Sequence, residues 1–549
     1  MHKIRLMPTN QCFHAARGRT LMEALIEAGI FLRADCGGKG RCGKCILKVI
    51  RADHSELKSP DESEQKLLGK RFLNSGYRLA CRLRVCCDLV IEIPDNSFQS
   101  PDIVRKGPVS SLLRTPFSVS KAPPDRIENI YGLAVDLGTT TIAVYLCDLV
   151  SAAVMASISV RNPQSFYGDD VMSRINAVTG NHKTLAHLQA MAIKAVEWGV
   201  VSLCRSTNTD PKTLKKMMVV GNSVMIHIFA GEDPSSIGTC PHQPLFVEEK
   251  TFIAEEIGFA FSPSIKIRTL PLISGFLGSD IVAAGIATEI KNAPKGTMLV
   301  DLGTNGEILI SAEDGFWATS CATGPAFEGA TISHGMNAVS GAIDGVKIDR
   351  TTRKIACSVL QYDLDKEKKP SGICGSGVVS AVAEFLRTGI ILETGRFNPD
   401  IHLPNLRYGE NGGLEFELVS AENSQTGRAI TLTQKDIRRI QLAKGALRAG
   451  IELACRETGI GHPEKLFVAG AFGSFVLKED ALAIGMFPKL PEENIEVVGN
   501  AAGAGAILSL YNGGFLTRAK ELIHETKVLD LSSHPAFQET FVSSLPFSK

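Results

Sequence analysis

Two stretches of this chain share one pattern. Residues 130–149 read IYGLAVDLGTTTIAVYLCDL and residues 296–311 read GTMLVDLGTNGEILIS. Each is an apolar run, an Asp-Leu-Gly-Thr turn and a second apolar run, which predicts strand, tight turn, strand. Their aspartates, Asp136 and Asp301, lie 165 residues apart, with long helical stretches between and after them. A unit repeated at that distance predicts a pseudo-duplicated α/β domain with a cleft between its halves.

The turns carry chemistry. Gly138 and Gly303 let the backbone approach a phosphate, and the amides and side chains of Thr139, Thr140, Thr304 and Asn305 can donate to its oxygens. An aspartate at a strand end suits Mg²⁺ held through water. One D-x-G-T is weak evidence; two, each between strands, are strong. No G-x4-G-K-[ST] occurs, so this is not a P-loop. KLFVAGAFGSFV (465–476) adds a strand running into Gly470, Ala471 and Gly473. ATGPAFEGA, with Glu328, and GICGSGVVSAV are further glycine turns entering helices. In RNPQSFYGDDVMSRI (161–175), Asp169 and Asp170 open an expected helix, as caps favoured by its dipole or as groups placing water or metal. LTQKDIRRIQLAKGALRAGIELACRETG reads as a long helix begun by a Thr433/Asp436 capping box.

Seven of the 14 cysteines fall before residue 88 and the other seven are scattered singly, as core residues are. ADCGGKGRCGKC (34–45) sets Cys36, Cys42 and Cys45 as C-x5-C-x2-C, and Cys81 follows in RLACRLRV. Four thiolates with three on one loop suit a [2Fe–2S] cluster, and the glycines supply the positive φ such a loop needs. A zinc ribbon would favour two C-x2-C pairs, and only one is present. Cys12, Cys86 and Cys87 read as incidental, the last two on opposite faces of an expected strand. Lys39, Arg41, Lys44, Arg82 and Arg84 surround the ligands, as a solvated rim or as a means to tune the cluster or dock an acidic partner.

These features divide the chain into a unit at 1–96, a Ser- and Pro-rich linker at 97–128, and two regions at 129–295 and 296–549. A net charge of +1 gives no reason to expect nucleic acid or membrane binding. No apolar run of 18 residues occurs and the start lacks a signal peptide's apolar stretch, so the expected compartment is cytoplasmic.

The cysteine loop resembles that of [2Fe–2S] ferredoxins, with the five-residue first spacing of the adrenodoxin-like branch rather than the four of the plant type. The resemblance implies a β-grasp domain. Residues 130–512 resemble the actin-like ATPase and sugar-kinase superfamily, which implies two RNase H-like halves closing on ATP and Mg. By that likeness Asp136, Gly138, Thr139 and Thr140 match the phosphate-1 motif. Asp301, Gly303, Thr304 and Asn305 match phosphate-2, and Gly470, Ala471 and Gly473 match the adenosine turn. Lys444, on the helix before it, is either an adenine-stacking side chain or an exposed helical lysine. Catalytic roles fall to Asp136, Asp301 and Asp170.

The fold class is thus multidomain, α+β and then α/β: a ferredoxin domain, a linker and an actin-like ATPase. That combination resembles the reductive activators of corrinoid proteins, as do NPQ…YGDDVMSRI, VVGNSVMIH, DLGTNGE, GICGSG, LTQKDIRRIQLAKGA and VAGAFG. The resemblance implies ATP-dependent return of Co(II) to Co(I) on a corrinoid protein of a methyltransferase system, an electron donor (ferredoxin, flavodoxin or reductase), and a homodimer through the ATPase region. A redox-sensing small-molecule kinase and a docking scaffold without electron transfer are the alternatives. The activators of benzoyl-CoA-type reductases, with cysteines inside the ATPase as Cys321 and Cys374 are here, are made unnecessary by the N-terminal ligand set.

Overall fold

The computed structural model describes residues 1–30, 32–33, 38, 40, 43–52, 57–94, 97, 130–329, 331–336, 338–361, 369–409, 412–470, 473 and 476–547. Cys36, Cys42, Lys39, Arg41, Ala471 and all of the expected linker except Ser97 lie outside them.

The N-terminal unit is a five-stranded sheet with a helix across it. It comprises β1 (His2–Met7), β2 (Gln11–Ala15), α1 (Leu21–Glu27), β3 (Ile46–Ala52), α2 (Glu62–Asn74, interrupted at Gly69), β4 (Tyr77–Leu79) and β5 (Leu89–Glu92). Strand order is β2-β1-β5-β3-β4, with β1 and β5 parallel, the β-grasp arrangement. Thr20 and Glu23 cap α1 reciprocally, and the helix buries Leu21, Leu25 and Ile26, the residues whose spacing predicted it. Cys86 and Cys87 are not on a strand; they precede β5, Cys86 half-buried and Cys87 buried.

A buried ion pair anchors this unit beside the expected fourth cluster ligand. Arg78 donates from Nε to Glu64 Oε1 at 2.9 Å and from Nη2 to Oε2 at 2.8 Å, and the Leu79 amide also donates to Glu64, at 3.0 Å. Glu64→Ala would strand a buried guanidinium and an amide, so a loss of about 3–5 kcal/mol is expected. Chemical denaturation followed by the cluster's visible absorbance checks it, the midpoint falling in the variant.

The next region holds β6 (Tyr131–Leu137), β7 (Thr141–Asp148), β8 (Ala153–Arg161), α3 (Val171–Gly180), α4 (Lys183–Ser206), β9 (Leu214–Val220), α5 (Ser223–Ala230), β10 (Thr251–Ile253), β11 (Lys266–Thr269) and α6 (Ser279–Ala287). The last holds β12 (Thr297–Leu302), β13 (Gly306–Ala312), β14 (Gly315–Cys321), then β15 (Ala342–Ile348), β16 (Ile355–Val359), β17 (Gly372–Ile373), α7 (Gly375–Arg387), β18 (Leu406–Tyr408), β19 (Leu414–Val419) and β20 (Ile430–Thr433). It continues through α8 (Gln434–Glu457), β21 (Lys465–Ala469), α9 (Lys478–Ala483), β22 (Ile495–Gly499), α10 (Ala501–Tyr511), α11 (Gly514–His524), β23 (Thr526–Val528) and α12 (Phe537–Ser543).

The duplication is plain in the sheets. One runs β10-β11-β9-β6-β7-β8 and the other β22-β21-β12-β13-β14-β23. Setting aside β10 and β23, both are a three-stranded antiparallel meander continued by two parallel strands. This is the RNase H-like order. The small sheets β16-β15-β17 and β18-β19-β20 fall between β14 and β21 in the second half.

The halves meet where α6 packs on α10. Small residues allow the close approach: Gly505 lies so near the Ala283 carbonyl that a Cβ would stand 2.0 Å from that oxygen. Of the scattered cysteines, Cys147, Cys204, Cys321, Cys374 and Cys455 are buried, as expected of core residues; Cys240 is exposed and Cys357 half-buried, against that expectation. Among the described residues no helix is long and apolar enough to cross a membrane.

Candidate functional site

Both Asp-Leu-Gly-Thr turns sit at the ends of their first strands, β6 and β12, and face each other. Asp136, Gly138, Thr139, Thr140, Asp301, Gly303, Thr304, Asn305 and Gly470 line one cavity, joined by Asn222, Asp280, Glu307, Glu328 and Asn500. Its volume is only about 90 Å³, well under the roughly 300 Å³ at which ligand pockets begin. The cleft is nearly shut, with Thr140 Oγ1 and Thr304 Oγ1 2.9 Å apart across it. A larger cavity of about 760 Å³ at the C-terminal end of α8 is lined by Arg448, Cys455 and Phe487 among others. It holds none of the motif residues, so chemistry rather than size picks out the cleft.

Residues distant in sequence hold the first turn. Asn500, the N-cap of α10, donates to Asp136 Oδ2 at 2.9 Å and to the Tyr145 hydroxyl oxygen at 2.8 Å. Burial, with the nearby Asp136 charge, pushes the Tyr145 hydroxyl pKa up. Asn222, the N-cap of α5, donates to Thr139 Oγ1 at 2.9 Å. Asn162 Nδ2 donates to the Gly138 carbonyl at 2.9 Å, and its backbone N–H donates to the Thr140 carbonyl at 2.8 Å. Arg174 is fully buried and donates to the Thr139 carbonyl, to Gln164 Oε1 at 2.9 Å and to the Gly168 carbonyl at 3.2 Å. Burial lowers its pKa to about 10, opposed by Asp169, Asp170 and Glu328, so it stays charged at neutral pH.

On the second side, Glu307 is buried and its pKa is raised well above the usual range by burial and then by the Asp280 and Asp301 charges. Gly470, at φ 96°, follows β21 so closely that a Cβ would stand 2.3 Å from the Leu302 carbonyl oxygen and 2.7 Å from Asp301 Oδ1. Only glycine brings the expected adenosine turn this near the phosphate-2 strand. Gly473 lies in the same turn, against the Ala469 carbonyl, and is not among the cavity-lining residues.

Asp170 and Lys444 are also placed away from the cavity lining. Asp170 caps α3, accepting from the Ser173 amide at 2.8 Å and the Ser173 hydroxyl at 2.7 Å, and does not line the cleft. Its carboxylate goes to the helix dipole, the simpler of its two sequence readings. Lys444 neither stacks over the cleft nor is exposed: it is 1% accessible, donates to the Pro546 carbonyl and stands 5.5 Å from the Phe547 ring centre. The segment after α12 covers it, and burial lowers its pKa to about 8. Thr433 and Asp436 do form the capping box of α8.

In the N-terminal unit the described residues fit a cluster. Cys45 and Cys81 are buried with their Sγ atoms 3.4 Å apart. That is too long for a disulfide of about 2.05 Å and near the ~3.8 Å edge that two thiolates span on a tetrahedral metal with ~2.3 Å bonds. The pairing comes from the backbone: β3 and β4 set Ile46 opposite Leu79, and the Ala80 amide donates to the Cys45 carbonyl at 2.8 Å. Gly38, Gly40 and Gly43 have φ of 79°, 68° and 67°, the left-handed backbone expected of the loop. The basic rim is partly committed, since Arg82 pairs with Asp61 at 2.5 Å and Arg84 donates to the Gly18 carbonyl at 2.7 Å.

The cysteine loop touches the segment next to the residue that holds the first phosphate turn. Gly38 packs on Phe166 so closely that a Cβ there would stand 2.3 Å from the ring. Phe166 ends the short 3-10 turn Pro163–Phe166, whose cap is Asn162, the residue that holds the first phosphate turn. Nearby, α1 packs on α4, and Arg19 Nη2 lies 3.1 Å from the His187 ring nitrogens.

Comparison with known proteins agrees with this layout in order along the chain. The family model described as the 2Fe-2S iron-sulfur cluster binding domain matches residues 4–86. That described as the RACo middle region matches residues 131–293, and that described as the C-terminal domain of RACo, the ASKHA domain, matches residues 295–549. The corrinoid activation enzyme RamQ of Eubacterium limosum is 28% identical, covering 94% of each chain. The [Co(II) methylated amine-specific corrinoid protein] reductase of Methanosarcina barkeri is 27% identical over 73% of this chain and 71% of its own. The solved structure of a reductive activator for corrinoid, iron-sulfur protein superposes with a TM-score of 0.71 at 27% identity, covering 100% of this chain and 98% of the other. With a [2Fe–2S] domain, a RACo middle region and a RACo C-terminal domain matched in that order, the chain belongs to the family of reductive activators of corrinoid proteins.

Proposed function

We propose that this chain takes one electron from a reduced donor (a ferredoxin, flavodoxin or reductase) and passes it to the Co(II) corrinoid of a partner methyl-transfer protein, restoring Co(I) with hydrolysis of ATP. The observation that carries this reading is the packing of Gly38, in the cysteine loop, on Phe166, in the segment that Asn162 joins to the first phosphate turn. A cluster loop packed on the segment that holds a phosphate turn gives nucleotide a route to the redox domain. The full-length likeness to the corrinoid activators supports the choice of substrate.

The [2Fe–2S] cluster supplies one-electron transfer, and Cys36, Cys42, Cys45 and Cys81 would hold it. In the cleft, Gly138, Thr139, Thr140, Gly303, Thr304 and Asn305 bind phosphates through backbone and side-chain donors, and Gly470, Ala471 and Gly473 take the adenosine. Asp136 and Asp301 would hold Mg²⁺, which would offset the charge of the phosphates. Dimerisation through the ATPase region and a cytoplasmic setting belong to the same reading, carried by the family resemblance.

ATP is needed on energetic grounds. A plant-type cluster sits near about −400 mV, Co(I) corrinoid is a stronger reductant, and each 100 mV uphill costs about 2.3 kcal/mol per electron. Nucleotide offsets that cost only by binding one conformation better than another. The test is anaerobic mixing of the reduced protein with a Co(II) corrinoid protein, followed by visible spectra. Co(I) is expected with ATP and not without it. A phosphorylated metabolite in place of Co(I) would sink the reading in favour of a kinase.

A further inference from the structure

Glu328 lies across the shut cleft. Its carboxylate accepts from Thr140 Oγ1 at 2.6 Å and from Thr304 Oγ1 at 3.2 and 3.3 Å, so one side chain ties both phosphate turns. It belongs to neither turn. It ends the short 3-10 segment Pro325–Glu328, fixed by the buried Ala326 and Phe327 and followed by Gly329 at φ 77°. That segment packs against both α7 and α8.

A hydroxyl has a single proton to donate. While Thr140 gives its proton to Glu328, it has none for a phosphate oxygen, and a phosphate placed there would meet a carboxylate. The position along the nucleotide follows from the cleft. Gly470, at the expected adenosine turn, sits on the second half, against Asp301. Thr140 lies on the other half, across the gap from Thr304, so on the reading of the cleft as an ATP site the phosphate furthest from the adenosine would be the one to reach it.

We propose, on the reading of the cleft as an ATP site, that Glu328 is a gating carboxylate that stands in for the terminal phosphate. It holds the two turns together in the absence of nucleotide, and a triphosphate displaces it by competing for Thr140 and Thr304. A diphosphate falls short of that position and leaves the tie in place. The gate thereby distinguishes ATP from ADP, and its displacement moves Pro325–Gly329 against α7 and α8.

The test is calorimetric titration of the full-length protein with a non-hydrolysable ATP analogue and with ADP, each with Mg²⁺, for wild type and Glu328→Gln. Removing the charge while keeping the shape is expected to tighten analogue binding at least about tenfold, a modest part of what like charges at this separation exert, with ADP affinity changed less than twofold. Weaker analogue binding, an unchanged affinity, or equal gains for both nucleotides would each overturn the gate. Amide hydrogen exchange on the wild-type protein provides a readout independent of the variant's folding. The amides of residues 326–329 are expected to exchange faster with the analogue than with ADP, and identical exchange overturns the proposal. Wild-type protein that binds neither nucleotide would overturn the ATP reading itself, whereas normal binding insensitive to Glu328→Gln removes only the gate.

Discussion

Cys81→Ser is expected to give a protein that still turns over ATP but carries no [2Fe–2S] absorbance and reduces no Co(II) corrinoid above background. Cys81 is buried, and its sulfur is held 3.4 Å from that of Cys45 by the pairing of β3, which follows Cys45, with β4, which precedes Cys81. Serine keeps the shape, so the β-grasp sheet has no reason to fail. It replaces a thiol whose pKa is near 8.5 in model peptides by an alcohol that stays protonated, and the softer thiolate is what iron–sulfur chemistry uses. Visible and electron paramagnetic resonance spectra read the cluster, and anaerobic mixing reads the corrinoid. Cobalt reduction retained in this variant would mean that the chain docks its partner without transferring the electron.

Arg174→Met is expected to be the most damaging change outside the cysteine set. The guanidinium is buried in α3 and serves three oxygen acceptors, the Thr139 carbonyl in the first phosphate turn, Gln164 Oε1 and the Gly168 carbonyl, and also the Met225 sulfur at 3.0 Å. It also offsets the charges of Asp169, Asp170 and Glu328. Methionine fills much of the space but leaves those acceptors unpaired and the carboxylates uncompensated, at a cost of about 3–5 kcal/mol. Denaturant titration measures the loss. ATP turnover should fall by ~100-fold even where the protein stays folded, because Thr139 loses the anchor that sets its turn. Arg174→Lys, with the charge but without the planar fork, should recover part of the stability and little of the turnover.

The sequence exposes what is local. The strand ends at Asp136 and Asp301, the positive-φ glycines of the cysteine loop and the Thr433 cap all depend on neighbours within a few residues, and all are visible in the chain. The supports of the site are not local. Asn500 reaches Asp136 across 364 positions and Glu328 reaches Thr140 across 188, contacts that only the closure of two halves creates. One of them left a trace. Val171, Arg174, Ile175 and Val178 share the buried face of α3, and an arginine on an apolar helix face must have partners. Lys444 is buried under the stretch after α12 and away from the cleft, a placement that no helical periodicity reports.

Gly38 rests directly on Phe166, and Asn162 at the head of the same short turn holds the Gly138 carbonyl, so one stretch of chain touches both the cluster loop and the first phosphate turn. Free energy around a closed cycle sums to zero. If nucleotide alters the cluster's midpoint potential through that contact, oxidation state must alter nucleotide affinity by the same amount. For a one-electron couple the exchange rate is about 59 mV per tenfold. An activator built this way would sense its own charge: the loaded and spent forms would hold ATP with different strength.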